Sequence, residues 1–250
     1  MKIVRKLKAV LAVLSIPGGL SKLLKAKPRS LVSLKIAECL HREGVAYKTI
    51  IDGGANIGQF ARAVSMRFPD AKIISFEPLP DVADQLKANL TDLGGRVVLH
   101  NFALGQTDGE AILHRCSSSQ SSSILSLDTQ SKDSLESGVR EIAEIKVQVR
   151  CLDSVFRGAM PEQPFLLKLD LQGYELEALK GATELLKHCQ HVLLEAVFKP
   201  SYAGEPLFDE IADFLRSCGF RFQRPMSFAE GNSGEIVQID ALFSSLPFDR

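Results

Sequence analysis

The segment from Thr49 to Phe60, TIIDGGANIGQF, places an acid and three glycines directly after a short β-branched run. A buried strand that ends at Asp52 and continues through these glycines into a helix forms a strand–turn–helix unit. Glycines in such a turn let the backbone approach a bound ligand closely, and the amino end of the helix offers free N–H groups to it. The segment therefore predicts a ligand site at the carboxyl end of the first strand.

A second acid, Glu77, closes the next predicted strand, KIISFEP, 19 residues after Gly58. An acid in this place accepts hydrogen bonds from ribose hydroxyls, so the two features together predict a nucleoside-containing cofactor. A dinucleotide site would need the spacing G-x-G-x-x-G, whereas this chain reads G-x-N-x-G from Gly54. The preceding Asp52 would repel a pyrophosphate and suits a cation. S-adenosylmethionine carries ribose hydroxyls, an amino group and a sulfonium, and it fits these residues better than a dinucleotide.

From Tyr47 onward, apolar strands alternate with amphipathic helices. Buried strands are indicated by KTIID, KIISFEP, PFLLKLDLQG and HVLLEAVF, and helices are predicted at 59–68, after a cap at Asp81, at 174–187 and from Phe208 to Gly219. Residues 96–105 are predicted as a third strand followed by a turn, EAILHR and IKVQVRCLDSV as further strand-like runs, and FRFQ with EIVQIDALF as a closing hairpin. Continuous apolar strands between helices indicate an α/β protein with a mostly parallel sheet covered on both faces, which binds ligands at the carboxyl ends of its strands.

The charge of the chain is unevenly distributed. The net charge is zero, but residues 1–29 hold eight basic groups and no acid, so the rest of the chain carries a net charge of −8. An acidic body argues against nucleic acid as the main partner. The five cysteines are far apart and never form a C-x-x-C pair, a pattern typical of a reduced, cytosolic protein without a zinc site.

Residues 1–46 are predicted to form a basic, amphipathic, helical N-terminal extension. Apolar residues in its first part recur at helical spacing with lysines on the other side. The apolar run Ala9–Ile16 is too short to span a bilayer, which needs about 20 residues. Three alternatives stay open: a helix packed on the domain, a helix that docks on a membrane surface or a partner, and a signal segment.

The segment Cys116–Glu144 interrupts the strand–helix alternation and is rich in serine. A connection of this length is either functional or a surface insert; we take a substrate-facing lid as the main interpretation. His188 and His191 stand where a helix gives way to a strand, so no metal site is predicted.

Several motifs occur together in one order: IIDGGANIGQF, ISFEPLPD, NFALGQTDGEAIL, SSSIL, VRCLDSV, LLKLDLQGYELEALKGA and VLLEAVF. In this combination the chain resembles the FkbM family of S-adenosylmethionine-dependent methyltransferases from Tyr47 to Phe243. The resemblance implies a Rossmann-like class I methyltransferase domain over residues 47–250, with a mostly parallel seven-stranded sheet and a C-terminal antiparallel hairpin.

The resemblance also implies roles for individual residues. The methionine end of the cofactor and the turn are assigned to Asp52, Gly53, Gly54, Asn56 and Gly58. Glu77 is the implied ribose acceptor with Pro78 beside it, Asn101 and Ala103 border the adenine, and Asp170 faces the methyl group. In the family the segment after the strand more often reads D-V-E-G, so Gln172 is given no role as a catalytic acid.

An alcohol acceptor benefits from a general base. The candidates are Asp170, placed first because it ends a strand at the ligand edge, then Glu175 and Glu195. Glu195 is alternatively a salt-bridge partner at the top of the sheet, and Glu175 a solvated acid in the first turn of a helix. Lys168 is either a buried ion-pair partner of one of these acids or a cation that orients the substrate.

The resemblance implies O-methylation of a hydroxyl on a sugar, glycolipid or polyketide-type small molecule. The cysteine pattern predicts a cytoplasmic protein. Peripheral membrane contact through residues 1–29 stays open. Two alternatives are retained: an NAD(P)-dependent oxidoreductase, and a methyltransferase-fold protein that binds cofactor but acts as a non-catalytic scaffold.

Overall fold

The computed structural model describes residues 30–128, 138–231 and 233–245. The amphipathic helix predicted within residues 1–29 and the middle of the serine-rich segment, residues 129–137, lie outside the described residues.

Ten strands form two sheets in the described chain: β1 (Thr49–Gly53), β2 (Lys72–Phe76), β3 (Val97–His100), β4 (Ala103–Leu104), β5 (Gly109–Cys116), β6 (Glu141–Arg150), β7 (Phe165–Leu169), β8 (His191–Val197), β9 (Phe220–Glu230) and β10 (Ile236–Ser245). The main sheet has seven strands in the order β3-β2-β1-β7-β8-β10-β9. Neighbours are parallel from β3 to β8, and β10 runs antiparallel to both β8 and β9. The predicted Rossmann-like class I methyltransferase fold with its C-terminal hairpin is confirmed.

The helices are α1 (Leu31–Arg42), α2 (Gln59–Arg67), α3 (Pro80–Asn89), α4 (Leu152–Val155), α5 (Glu175–Lys180), α6 (Thr183–Leu186) and α7 (Phe208–Ser217). Side chains on a strand alternate between its two faces, so Ile50 packs in the core layer that contains α1 and α2, and Ile51 in the layer that contains α5, α6 and α7. Both isoleucines are fully buried. Burial on both faces explains why the central strands read as continuous apolar runs.

Helix α1 belongs to the part of the chain predicted as an extension. Ser30 caps it, because the Ser30 side chain accepts a hydrogen bond from the Ser33 N–H at 3.1 Å. Leu34, Ala37 and Leu40 are buried in the same core layer as Ile50. Residues 31–42 therefore pack against the sheet as part of the domain.

Two predicted strands differ from the structure. Residues 96–105 form two strands, β3 in the main sheet and β4 in a second sheet of order β4-β6-β5. The run IKVQVRCLDSV is a strand only as far as Arg150, where β6 ends, and α4 begins at Leu152. Asp108 directs this turn, since its carboxylate accepts hydrogen bonds from the Cys151 N–H at 2.8 Å and the Ser154 hydroxyl at 2.7 Å.

Two predicted helices also differ. Residues 174–187 form α5 and α6 with a break at Gly181, where an added Cβ would lie 2.2 Å from the Gly105 carbonyl oxygen. Leu79, rather than Asp81, is the cap of α3, because Pro80 occupies the first helical position and moves Asp81 into the first turn. Neither the backbone contact at Gly181 nor the position of Pro80 in the turn is visible in helical periodicity.

The close approach at Gly181 yields a stability prediction. Gly181→Ala should lower the free energy of unfolding by about 1–3 kcal/mol, because a methyl group cannot fit against the Gly105 backbone. Gly95→Ala is the matched control, since nothing lies within 4 Å of a Cβ at that position. Urea unfolding followed by circular dichroism measures both, and equal stability of the two variants would contradict the contact.

Candidate functional site

A cavity of about 460 Å³ opens at the carboxyl ends of β1, β2 and β7, beside residues 193–195 of β8. Its size suits a small-molecule ligand, and its place is the one where doubly wound sheets bind ligands. Helix α1, residues 119–124 of the serine-rich segment and the β9–β10 hairpin form its other sides. Eight residues predicted for the site line it: Gly54, Asn56, Glu77, Pro78, Ala103, Lys168, Asp170 and Glu195.

The glycine turn after β1 lies directly against the end of β7. Gly54 has φ +70°, and a Cβ there would lie 1.8 Å from the Asp170 carbonyl oxygen, so a side chain is excluded. The N–H groups of Gly54 and Ala55 both donate to the Phe76 carbonyl at 3.0 Å, which fixes the turn to the end of β2. Gly58, with φ +91°, then starts α2. At Gly54 the turn thus presents backbone rather than a side chain to the cavity.

Glu77 connects the glycine turn to the chain after β2. Its Oε2 accepts a hydrogen bond from the Asn56 N–H at 3.0 Å, and its Oε1 accepts one from the Leu79 N–H at 2.9 Å. Burial raises the pKa of Glu77 to about 7, against the opposing effect of these two hydrogen bonds. Each oxygen keeps a further lone pair, so Glu77 can accept hydrogen bonds from a ligand as well.

Asn101 supports Glu77 from outside the cavity. Its side-chain amide donates to the backbone carbonyls of Glu77 at 2.8 Å and Pro78 at 3.1 Å. Asn101, Asp52, Gly53 and Gly58 do not line the cavity in the described structure. Their predicted cofactor contacts stay predictions.

A buried ion pair lies beneath the cavity. The Nζ of Lys168 lies 3.0 Å from Asp52 Oδ1 and 3.6 Å from Asp170 Oδ2, and it donates to the carbonyls of Gly53 at 3.1 Å and Gly54 at 3.3 Å. Burial works to lower the pKa of Lys168, but the carboxylates of Asp52 and Asp170 raise it above its ordinary value. For the fully buried Asp52, burial raises the pKa and Lys168 opposes this. Of the two interpretations of Lys168, the structure shows the ion pair.

Gln172 joins the two carboxylates that face the cavity. Its Nε2 donates to Asp170 Oδ1 at 2.7 Å and to Glu195 Oε1 at 3.2 Å, and its Oε1 accepts from the Tyr202 hydroxyl at 2.8 Å. Burial and the negative charge of Asp170 and then Asp240 raise the pKa of Glu195. Gln172 and Tyr202 were not predicted as site residues. For Gln172, the departure from D-V-E-G at position 172 could have indicated a role in the site.

Glu175, a candidate base, lies outside the cavity. It is 2% exposed, and its Oε1 accepts the Leu171 N–H at 2.5 Å, which supports the turn after β7. Burial raises the pKa of Glu175 to about 8. It is therefore neither the solvated acid of the alternative interpretation nor a residue that lines the cavity.

The described part of the serine-rich segment covers one side of the cavity. The Asn56 side-chain amide donates to Ser119 Oγ at 3.2 Å, and the Ser123 hydroxyl donates to the Gln172 carbonyl at 2.6 Å. The segment is thereby tied both to the glycine turn and to the turn after β7.

The lining fits S-adenosylmethionine by the chemistry of its groups. Carboxylates suit ribose hydroxyls and a sulfonium, a glycine turn admits a ligand close to the backbone, and apolar side chains such as Phe102 and Leu79 suit an adenine ring. Within residues 30–128, 138–231 and 233–245, no group of three His, Cys, Asp or Glu side chains is placed to hold a metal ion.

The ion pair yields a prediction. Lys168→Met should lower the free energy of unfolding by about 3–5 kcal/mol, because Asp52 would stay buried without its counter-charge. The loss should be smaller at pH 5 than at pH 8, since an isolated buried carboxyl group is more easily kept neutral at low pH. Urea unfolding at both pH values measures this, with the double variant Asp52→Asn/Lys168→Met as the control that should recover most of the loss. A single variant as stable as the unmodified chain would contradict the role of the ion pair.

Comparisons with known proteins agree with this geometry. The model of the "Methyltransferase FkbM domain" matches residues 52–222. The methyltransferase sdnD of Sordaria araneosa is 31% identical over 196 residues, which cover 70% of this chain and 74% of sdnD. The 2-O-methyltransferase NoeI of Sinorhizobium fredii is 28% identical over 221 residues, which cover 84% of this chain and 86% of NoeI. The chain spans between 10% and 86% of the length of the curated relatives it matches.

A solved structure shows the same fold. The protein PH1948 of Pyrococcus horikoshii superposes with a TM-score of 0.50 at 15% identity, over 98% of each chain. The methyl donor that matches the family, the fold and the cavity is S-adenosylmethionine, and the chain belongs to the FkbM methyltransferase family.

Proposed function

We propose that the protein transfers the methyl group of S-adenosylmethionine to a hydroxyl of a sugar, either free or part of a glycan or glycolipid. The observation that carries this proposal is the position of Asp170. Its carboxylate lies at the carboxyl end of β7, lines the cavity, is 38% exposed, and is held by the Gln172 amide at 2.7 Å. The name of the relative NoeI, a 2-O-methyltransferase, supports an oxygen acceptor.

Gly54, Asn56 and Glu77 would hold the cofactor. S-adenosylmethionine supplies an electrophilic methyl group on a sulfonium, so the chain has to position the acceptor hydroxyl in line with it. Glu77 would accept the ribose hydroxyls. The turn at Gly54 would lie along the methionine part, where its backbone can approach without a side chain.

Asp170 would act as the general base. As the acceptor oxygen forms its bond to the methyl carbon and the carbon–sulfur bond breaks, the hydroxyl proton passes to Asp170. Gln172 and Lys168 orient this carboxylate from two sides. Glu195 is a weaker candidate, because it lies within β8, between the amides of Gln172 and Gln238, rather than at the end of a strand.

The role of Asp170 can be tested by substitution. Asp170→Asn should lower turnover by about 10²- to 10⁴-fold, because the amide cannot accept the proton. The affinity for S-adenosylmethionine should change little. Transfer of a tritiated methyl group to a panel of methyl glycosides measures turnover, and Glu195→Gln, which should have the smaller effect, is the comparison. Unchanged turnover in Asp170→Asn would remove Asp170 as the base.

Glu77 gives a second prediction. Glu77→Ala should weaken S-adenosylmethionine binding by about 1.5–3 kcal/mol if the carboxylate accepts the ribose hydrogen bonds. Since the pKa of Glu77 is about 7, the ionised acceptor is lost below this pH. The affinity of the unmodified chain should therefore fall as the pH is lowered from 8 to 6.

The matched control is Glu77→Gln, which cannot ionise and should bind with no such pH dependence. Calorimetric titration at both pH values measures the three proteins. An unchanged affinity in Glu77→Ala would place the ribose elsewhere.

The two alternative functions, an oxidoreductase and a non-catalytic scaffold, can be distinguished from the proposed methyl transfer. Membership of a methyltransferase family sets aside the NAD(P)-dependent oxidoreductase. A non-catalytic scaffold would bind S-adenosylmethionine and would transfer no methyl group to any acceptor of the panel.

A cytoplasmic location and peripheral membrane contact through residues 1–29 are part of the proposal. None of the helices in the described ranges is long and apolar enough to cross a membrane.

A further inference from the structure

The cavity extends from the glycine turn to the strands of the C-terminal hairpin. Gly54 and Glu77, the proposed cofactor contacts, directly follow β1 and β2. Glu195 on β8 and Asp240 on β10 line the cavity at its other end. The order β1-β7-β8-β10 separates β1 from β10 by three strand spacings, or about 14 Å. With the cofactor at the glycine turn, the end formed by β8 and β10 is left for the acceptor, and we call it the acceptor end.

Two carboxylates face each other at the acceptor end. Glu195 and Asp240 are paired across the antiparallel strands β8 and β10, a register that places their Cβ atoms about 5 Å apart. Like charges directly opposite each other on a sheet are destabilising. Burial raises the pKa of both residues, and the negative charge of Asp170 raises both further. The acceptor end therefore concentrates negative charge.

The polar partners of these two carboxylates are neutral. The amides of Gln172 and Gln238 donate to the two oxygens of Glu195, and the Ser227 hydroxyl donates to Asp240. No ion pair in the described ranges includes Glu195 or Asp240. The chain thus builds a pair of opposed acids into the cavity wall and, among its described residues, gives them no counter-cation.

The cations near the cavity are engaged elsewhere. Among the described residues that line it, Lys168 is the one basic residue, and its ammonium group lies against Asp52 and Asp170. In the proposed orientation the amino group of S-adenosylmethionine lies along the turn at Gly54, so it does not reach Asp240 on β10. A positive charge at the acceptor end has to come from the acceptor.

We propose that the acceptor is a sugar with a protonated amino group, and that Glu195 and Asp240 select it. An ammonium group between them donates charge-assisted hydrogen bonds to both carboxylates and removes their mutual repulsion. An ammonium held in this way has no lone pair, so the methyl group goes to a hydroxyl beside Asp170. Uronic acids and phosphorylated sugars are repelled. This inference rests on the proposed function and narrows its acceptor to cationic amino sugars.

The test measures binding rather than turnover. Full-length protein saturated with S-adenosylhomocysteine is titrated calorimetrically with the methyl glycosides of glucosamine, glucose, N-acetylglucosamine and glucuronic acid, and with their galacto counterparts. The first is cationic, the next two are neutral and the last is anionic. The amino sugar should bind about ten-fold or more tightly than the neutral glycosides, and this preference should shrink as salt is raised.

Asp240→Asn separates selection of the acceptor from folding. The variant should lose most of the preference for the amino sugar. Because it removes one of two opposed like charges, its thermal midpoint should be unchanged or higher, whereas a purely structural carboxylate would lower the midpoint when replaced. Asp84→Asn controls for net charge, since Asp84 is exposed on α3 and lies outside the cavity. It should keep the full preference.

The proposal is overturned if a neutral or anionic glycoside binds as tightly as the amino sugar, if Asp240→Asn keeps the preference, or if no glycoside binds. Failure of the proposed function is seen separately, as absent methyl transfer to an amino sugar that does bind. If S-adenosylhomocysteine itself does not bind, the same glycosides are titrated against the protein alone, and the same preference is expected.

Discussion

The ion pair of Lys168 and Asp52 is the interaction on which the site depends. Lys168 comes from β7 and Asp52 from the neighbouring β1, and the ammonium group also binds the carbonyls of Gly53 and Gly54. A charge buried in this way stays charged only because opposite charge and carbonyl oxygens surround it. One ammonium thus fixes the backbone of the glycine turn and, at 3.6 Å, the carboxylate of Asp170. The binding turn and the proposed base are held by the same group.

A second layer of polar contacts lies above this pair. Gln172 binds Asp170, Glu195 and Tyr202, and its carbonyl accepts the Ser123 hydroxyl of the covering segment. A carboxylate at position 172 could not donate to its two acidic neighbours and would add negative charge between them. The amide therefore suits a site in which two carboxylates lie close together, and it connects the covering segment to them.

The fold could be predicted from the sequence because the central strands are buried on both faces, which produces apolar runs that periodicity detects. The strand-end positions of Glu77 and Asp170 followed from the same pattern, since parallel strands end at one edge. What could not be predicted depends on long-range contacts. Gly181 breaks a helix because it meets Gly105, and Glu175 turns inward to hold the Leu171 N–H rather than facing solvent. Such contacts leave no periodic signal.

The central claim is that this cavity holds S-adenosylmethionine, and calorimetric titration of the unmodified protein tests it most directly. S-adenosylmethionine and S-adenosylhomocysteine should both bind with micromolar affinity, while NAD and NADP should give no heat of binding. Binding of the dinucleotides in place of the adenosyl ligands, or of neither pair, would contradict the account.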